Sequence, residues 1–505
     1  MRKITGRIDS VSATILVVVV AATVVQYLSG GPVRSIALDT DALNIPTLVA
    51  DVLSRHGSLA HWYLSPAPYL FPDALLFVPA HLLAPDAYMR IAVFQVLQLG
   101  VLWTAFMWTA ARTGHSRPAR FASVALALLV YAGLRGIAPY NQLFVAGFHA
   151  GGFAISVVLA GLCIAPSRHT STIRHIAGLG LIAALSFFST LSDSIVLVQA
   201  IAPLSLLLVL LAAGRDGDRR SRIVTAVVLS GAAVLGHALY GSIVAHPTRY
   251  PLVLTRVKVH TNLTAVRVLM RDWVSSHRAA PVVIVLFTVA ALAMSIRVVR
   301  GWQRHGGLDN LVVWFAMAVA SSVAGVVLAT TNEVTVRYFL PVAVLPIAGL
   351  VLVATNSRFL AGRAATALAV AVALVMSVDT VDLARANGVR TTFADAEVAC
   401  IDDAIASIDG RRGIAQYWDA KYIQNLSRLD ITVAQYWDNL TRMEWITSDD
   451  YYSSTYDFAI ISNGPAAPTV LSVDLIISGN GQPARTVECA SHIVLLYGRD
   501  KLRIK

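Results

Sequence analysis

Through its first three quarters the chain alternates long apolar runs, many near 20 residues, with short polar links. A helix rises about 1.5 Å per residue, so runs of this length match the ~30 Å hydrocarbon core of a bilayer. Lipid cannot satisfy exposed backbone polar groups, so the pattern predicts a helical bundle. There is no series of alternating segments of the kind that builds a membrane barrel. Residues 11–28, 88–110, 120–137, 151–165, 176–192, 194–213, 223–245, 281–296, 311–330, 338–355 and 364–378 read as spans, about eleven in all.

The links differ in charge. Arg112, Arg117 and Arg120, then Arg215 to Arg222, then Arg297, Arg300 and Arg304, then Arg358 and Arg363 fall at alternate links. Positive residues stay on the cytoplasmic side, which places the N-terminus inside and the loops 29–87 and 246–280 outside. The first span has no small-x-small cleavage pattern before Gly30 and is expected to be retained. Within loop 29–87, Pro46–Arg55 predicts a short helix and Tyr69–Leu83 a helix lying at the interface.

From Asp379 the pattern becomes a polar, soluble mixture. Phe458–Ser462, Val473–Ser478 and His492–Tyr497 read as buried strands, and Ala394–Ile408 as a helix. The expected fold is an all-α polytopic membrane bundle over 1–378 with a C-terminal soluble α/β domain over 379–505, on the periplasmic side. The pentamer Ala415-Gln-Tyr-Trp-Asp419 recurs as Ala434-Gln-Tyr-Trp-Asp438, but the likeness stops there and defines no solenoid.

Composition agrees. Of 505 residues, 56% are hydrophobic and 14% charged, against about 25% charged in soluble domains. The net charge of +11 follows from the cytoplasmic Arg bias and calls for no nucleic acid partner. The Ala/Val/Leu/Arg-rich usage suits a bacterium of high genomic GC, so the bacterial inner (cytoplasmic) membrane is the expected location. Cys163 falls in an apolar run as a small core residue, while Cys400 and Cys489 share the external domain and are expected to form a disulfide.

The candidate chemistry lies on the outer side. Asp39 and Asp41 directly follow the first span, and Asp193, Glu333 and Arg337 stand at the ends of later spans. Ionisable residues at bilayer depth are costly and mark functional sites, although residues at span ends can also simply be solvated. A partly dehydrated carboxylate suits a general base, while the plain alternative for Asp39 and Asp41 is turn formation before Pro46. Asp-x-Asp also binds metal in nucleotide-sugar transferases of the cytosol. Here it faces away from nucleotide pools, and nothing further in the sequence supports a divalent metal or other cofactor.

Loop 246–280 carries Arg249, Arg256, Lys258, Arg267, Arg271 and Arg278 against the single acid Asp272. Such a loop suits phosphate binding, or equally the snorkelling of long cations toward lipid headgroups. His56, His61, Trp62, Tyr63, Tyr69 and Asp73 in the first loop, with Tyr417 and Trp418 in the external domain, suit sugar binding by ring faces and carboxylates. Interfacial belts and core packing are their structural alternatives. The histidine spacing proposes no zinc site.

In layout the chain resembles the GT-C superfamily of lipid-dependent glycosyltransferases, which includes protein mannosyltransferases and aminoarabinose transferases. The likeness rests on Asp39 and Asp41 after the first span, Pro68-Tyr-Leu-Phe-Pro-Asp73 at an interfacial helix, Arg90 opening the next span, and an external C-terminal domain. It departs from the family in that Thr40 separates the two acids, which leaves open which is the base. The resemblance implies a polyprenyl-phosphate sugar donor, an inverting transfer to a glycan, lipid or protein acceptor, and no nucleotide. It implies Asp39 or Asp41 as the base and Arg337, with Lys258 or Arg256, at the departing phosphate. A transporter or flippase, and a non-catalytic glycan-binding envelope protein of the same fold, are the competing readings.

Overall fold

The computed structural model describes residues 8–165, 172–213, 219–248, 254–277, 279–300, 307–330, 333–357, 360–463 and 470–504. Arg249 and Arg278 of the basic loop therefore lie outside the described residues. Eight helices are long and apolar enough to cross a membrane: Ser10–Leu28, Ala87–Arg112, Thr172–Ser192, Arg219–Ile243, Ala280–Val298, Gly307–Ala329, Val336–Asn356 and Leu360–Asn387. Three further stretches read as spans, Pro118–Leu134, Ala150–Ile164 and Leu197–Ala213, are helical but shorter.

The bundle keeps apolar side chains on its outside. Val17, Leu206, Val227, Val285 and Leu374 are all more than half exposed, as expected for a surface solvated by lipid rather than water. Inside, small residues let helices approach. A Cβ on Gly236 would stand 2.2 Å from the carbonyl oxygen of Phe187. Beside it Thr190 Oγ1 donates to the Ala233 carbonyl at 2.8 Å, and Thr109 Oγ1 donates likewise to Val157 at 2.8 Å.

At one end the links are short and basic. There Asp9 caps Ser10–Leu28 by accepting from Ser12 N–H and is held by Arg120 at 2.8 Å. At the other end the long loops and the soluble domain meet. Asn44–Ser54 and Leu70–Leu83 form the two helices expected in the first loop. Trp62–Leu64 pairs in parallel with His246–Pro247 and antiparallel with Thr447–Ser448, tying loops 29–87 and 246–280 to the C-terminal α/β domain. Arg55 adds an ion pair to Asp430 at 3.0 Å.

Two elements differ from the sequence reading. Loop 246–280 contains a 21-residue helix, Arg256–Ser276. Thr255 caps it, and Val266, Leu269 and Met270 pack on Val326, Phe339 and Val342. Val473–Ser478, read as a strand, is instead part of the helix Val473–Asn480, because Ser472 accepts from the Leu475 N–H and starts a helical turn. A short apolar run cannot by itself separate the two states.

The last membrane helix runs on past 378 to Asn387 before the soluble domain begins. That domain holds a five-stranded sheet of Arg412–Ala415 (β1), Thr432–Gln435 (β2), Phe458–Ser462 (β3), Arg485–Cys489 (β4) and His492–Leu496 (β5), in the order β2-β1-β3-β5-β4. β1 lies parallel to β2 and β3, and β5 is antiparallel to β3 and β4. The helix Tyr417–Leu426 makes the crossover from β1 to β2. The repeated pentamers thus begin at the paired ends of neighbouring strands, where Ala415 faces Gln435.

Cys400 and Cys489 are disulfide-bonded across 89 residues, joining the helix Ala396–Ala406 to the edge strand β4. Closing a loop of this length removes denatured-state entropy, so reduction is expected to lower the domain's stability by about 2–5 kcal/mol. Pulse proteolysis of the full chain in urea, with and without reductant, measures this. An unchanged midpoint would contradict it.

Candidate functional site

The turn Leu38 to Asn44 is built from its own acids. Asp39 Oδ1 accepts the Asp41 N–H at 2.9 Å, the i to i+2 bond by which aspartate favours turns. The helix Tyr417–Leu426 clamps the turn, with Thr40 Oγ1 donating to the Trp418 carbonyl and Asn425 Nδ2 donating to Thr47 Oγ1 at 2.8 Å. Both acids are half-buried.

Asp41 is the centre of the site. Arg337 Nη1 donates to its Oδ2 at 3.2 Å, and the Tyr417 hydroxyl donates to its Oδ1. Arg337 comes from the 3-10 turn Val336–Phe339 at the head of a membrane helix, and its guanidinium lies 5.7 Å from the Phe148 and Tyr338 ring centres. Lys421 follows Tyr417 by one helical turn and so shares its face. Its Nζ lies 4.6 Å from the Tyr417 ring centre and has no hydrogen-bond partner among the described residues.

The environment separates these groups. Burial raises the Asp39 pKa, with the Asp41 charge adding and the Asp41 N–H, Arg337 and Lys421 opposing. Burial pushes Lys421 down to about 7, although Asp41 and Asp39 pull the other way. Burial and the neighbouring Asp41 hold the Tyr417 hydroxyl protonated. A buried amine, a donating phenol and two carboxylates therefore share one small volume.

Behind Arg337 runs a buried relay. Asp193 Oδ2 bonds His149 Nδ1 at 2.8 Å, and His149 Nε2 faces the Tyr69 hydroxyl at 3.4 Å. Tyr69, Phe148 and His149 have φ of 54°, 53° and 68°. Left-handed backbone is costly for bulky side chains, and such strain concentrates at functional sites. Asp73 supports the same corner by accepting the Gly147 N–H at 3.1 Å. A Cβ on Gly151 would fall 2.2 Å from its carboxylate, so glycine is required there for this approach.

Other candidates lie elsewhere. Glu333 is exposed, and the acid that orients Arg337 is Asp41, 296 residues away in sequence. Arg256 and Lys258 open the Arg256–Ser276 helix, Arg256 being exposed. The buried cation brought to the acids is Lys421, which the sequence reading missed. Its signal was the Tyr417-x-x-x-Lys421 spacing in a chain with only five lysines. His56 is exposed, and His61 pairs with Asp450 on the surface at 2.8 Å rather than joining the site. The Trp418 ring is 42% exposed and stands edge-on to Tyr417, so it is free to meet a ligand. Among the described residues no group of three or more His, Cys, Asp or Glu could hold a metal.

A second polar cluster lies at one end of the sheet, where β3 ends at Ser462 and β5 begins at His492. His492 sits between Glu397 at 2.7 Å and Asp419 at 3.2 Å, and Ser462 donates to Asp419. Burial lowers the His492 pKa, but the two carboxylates outweigh it and leave it raised above its usual 6.5. Burial raises Glu397, but Ser491 and His492 outweigh it and leave it below its usual 4.5. His492 thus contributes stability that is fully present below pH 6.5 and lost as pH rises through its raised value. Glu397 contributes stability present above pH 4.5 and lost as pH falls through its lowered value. Denaturation of His492→Gln across pH should lack the loss above 6.5, and an unaltered profile would refute this.

Fold and site together define a multi-pass helical membrane protein whose C-terminal α/β domain closes over a charged site at one end of the bundle. No family model matches the chain, and no curated protein is found similar to it.

Proposed function

We propose that the protein is a membrane glycosyltransferase that moves a sugar from a polyprenyl-phosphate donor to an envelope acceptor on the periplasmic face. The observation that carries this reading is Asp41 held between Arg337 of a membrane helix and Tyr417 of the soluble domain. A carboxylate beside a guanidinium at the membrane end supplies the two groups that inverting transfer needs. The acceptor hydroxyl attacks the anomeric carbon as the bond to the lipid phosphate oxygen breaks. Its proton passes to Asp41, and the departing phosphate takes over the guanidinium of Arg337. Asp39 holds the Asp41 turn, and the exposed Trp418 ring offers a face for the sugar or acceptor.

The test uses the full chain in nanodiscs with a panel of synthetic polyprenyl-phosphate monosaccharides and an envelope extract as acceptor. Release of polyprenyl phosphate with sugar appearing on an acceptor is expected. Intact donors across the panel would overturn the reading. If the same lipids then crossed liposomes unchanged, a flippase would replace it, and glycan binding without turnover would favour a non-catalytic envelope protein.

A further inference from the structure

Lys421 is an amine out of place. Its side chain is 4% exposed, and its Nζ has no hydrogen-bond partner among the described residues. Three of the nearby carboxylate oxygens are already engaged. Asp41 accepts from Arg337 on one oxygen and from Tyr417 on the other, and Asp39 Oδ1 accepts the Asp41 N–H. Arg337 is in a similar position, because its buried Nε–H also has no partner among the described residues. Arg337 reaches Asp41 Oδ2 from the membrane bundle, and Lys421 lies 4.6 Å from the ring of Tyr417, whose hydroxyl holds Asp41 Oδ1, so the two cations approach the same carboxylate from two domains. Buried donors left unmade are costly and are usually explained by a group that binds there.

Other neighbours do not answer Lys421. On Asn44–Ser54, Asp51 accepts from Trp62 Nε1 at 2.8 Å. On Ala87–Arg112, Tyr88 donates to the Tyr27 carbonyl, and Arg90 donates to the carbonyls of Ala84 and Pro85. The charged groups that face the amine are thus Asp39 and Asp41, with Tyr417 beside it.

We infer that Lys421 Nζ and Arg337 Nε together bind a phosphate-like oxyanion, so that the soluble domain supplies half of the anion site. This rests on the proposed transfer reaction and refines it, since Lys421 takes the place that Lys258 or Arg256 was expected to fill. A protonated amine donates three N–H groups and a guanidinium a planar fork, a pairing suited to several oxygens of one phosphate. The two acids nearby hold the amine ready to take up a proton when the anion arrives. The same oxyanion chemistry could come from the donor lipid's phosphate or from a free anion.

The chain has five lysines, Lys3, Lys258, Lys421, Lys501 and Lys505, so a 13Cε-lysine spectrum of the full chain in nanodiscs is simple. Lys421 is assigned in a variant with the other four changed to arginine, which leaves the buried position untouched. Without ligand its signal should titrate near pH 7, as burial implies. Farnesyl phosphate should move that midpoint up by about one pH unit or more, the size expected of an added opposite charge in contact. A shift with farnesyl phosphate alone assigns the site to a lipid phosphate, and an equal shift with inorganic phosphate assigns it to a free anion. A midpoint unmoved by both probes overturns the inference. Farnesyl phosphate should also bind about tenfold or more weaker to Lys421→Met, with Lys421→Arg restoring most of it. Should Lys421→Met fail to fold, the titration of the folded chain still decides. This readout needs no turnover, so a shifted midpoint without transfer would refute the reaction and keep the anion site, and transfer without a shift would do the reverse.

Discussion

Asp41→Asn is expected to lower sugar transfer by about 10²- to 10⁴-fold, the usual contribution of a positioned general base. The amide keeps the shape, so Arg337 and Tyr417 can still point at its oxygen, but it cannot take the acceptor's proton. Loss of kcat with little change in donor affinity is the expected signature. Asp39→Asn is the comparison. Asparagine Oδ1 can still accept the Asp41 N–H, so the turn survives and the loss should be much smaller. Asp39→Ala removes that acceptor and should cost more than Asp39→Asn. Steady-state kinetics of the three variants tests the assignment. Near wild-type turnover in Asp41→Asn together with a large loss in Asp39→Asn would exchange the two roles.

The second large effect is expected at Arg337. Replacing it with methionine keeps much of its apolar stem against Phe148 and Tyr338 but removes the charge that meets the departing phosphate. Removing one such group from an electrostatic site costs about 10²–10³ in kcat. Asp41 also loses its ion-pair partner, so donor binding should weaken with kcat. Lysine should restore only part of this. Its ammonium is a point charge and cannot hold Asp41 through one nitrogen while offering another, as Nη1 and Nε can. Full transfer by Arg337→Met would remove the phosphate role altogether.

The two losses should also differ with the donor. An Asp41 variant should still bind farnesyl phosphate, because Arg337 and Lys421 remain. An Arg337 variant should not bind it well. Measuring both affinities in nanodiscs separates a defect in proton transfer from a defect in the anion site.

Much of the architecture was legible in the linear chain. Apolar runs of membrane length become helices wherever they occur, because lipid offers no other way to satisfy the backbone. The change to a polar composition from Asp379, inside a helix that runs on to Asn387, and the strands Phe458–Ser462 and His492–Leu496 follow from the same local reasoning, which also singled out Asp39, Asp41 and Arg337 as candidates. Each depends on neighbours within a few positions. Val473–Asn480 was misread because its apolar run is too short to show a period, and its N-terminal serine cap decided the matter. The Arg256–Ser276 helix was read as loop because its own surface is polar and basic. It is held by an apolar strip against Val326, Phe339 and Val342, residues far away in sequence.

What only the folded chain decided is which charges meet. Glu333 precedes Arg337 by four residues, yet the guanidinium is answered by Asp41 from 296 residues away. Tyr417 comes to the same carboxylate across 376 residues. A charge interacts with whatever stands within a few ångströms, and sequence spacing sets that distance only inside one helix or turn. Lys421 shows the limit most clearly. Its place one turn after Tyr417 was readable, but its burial beside two acids depends on how the soluble domain seats on the membrane bundle.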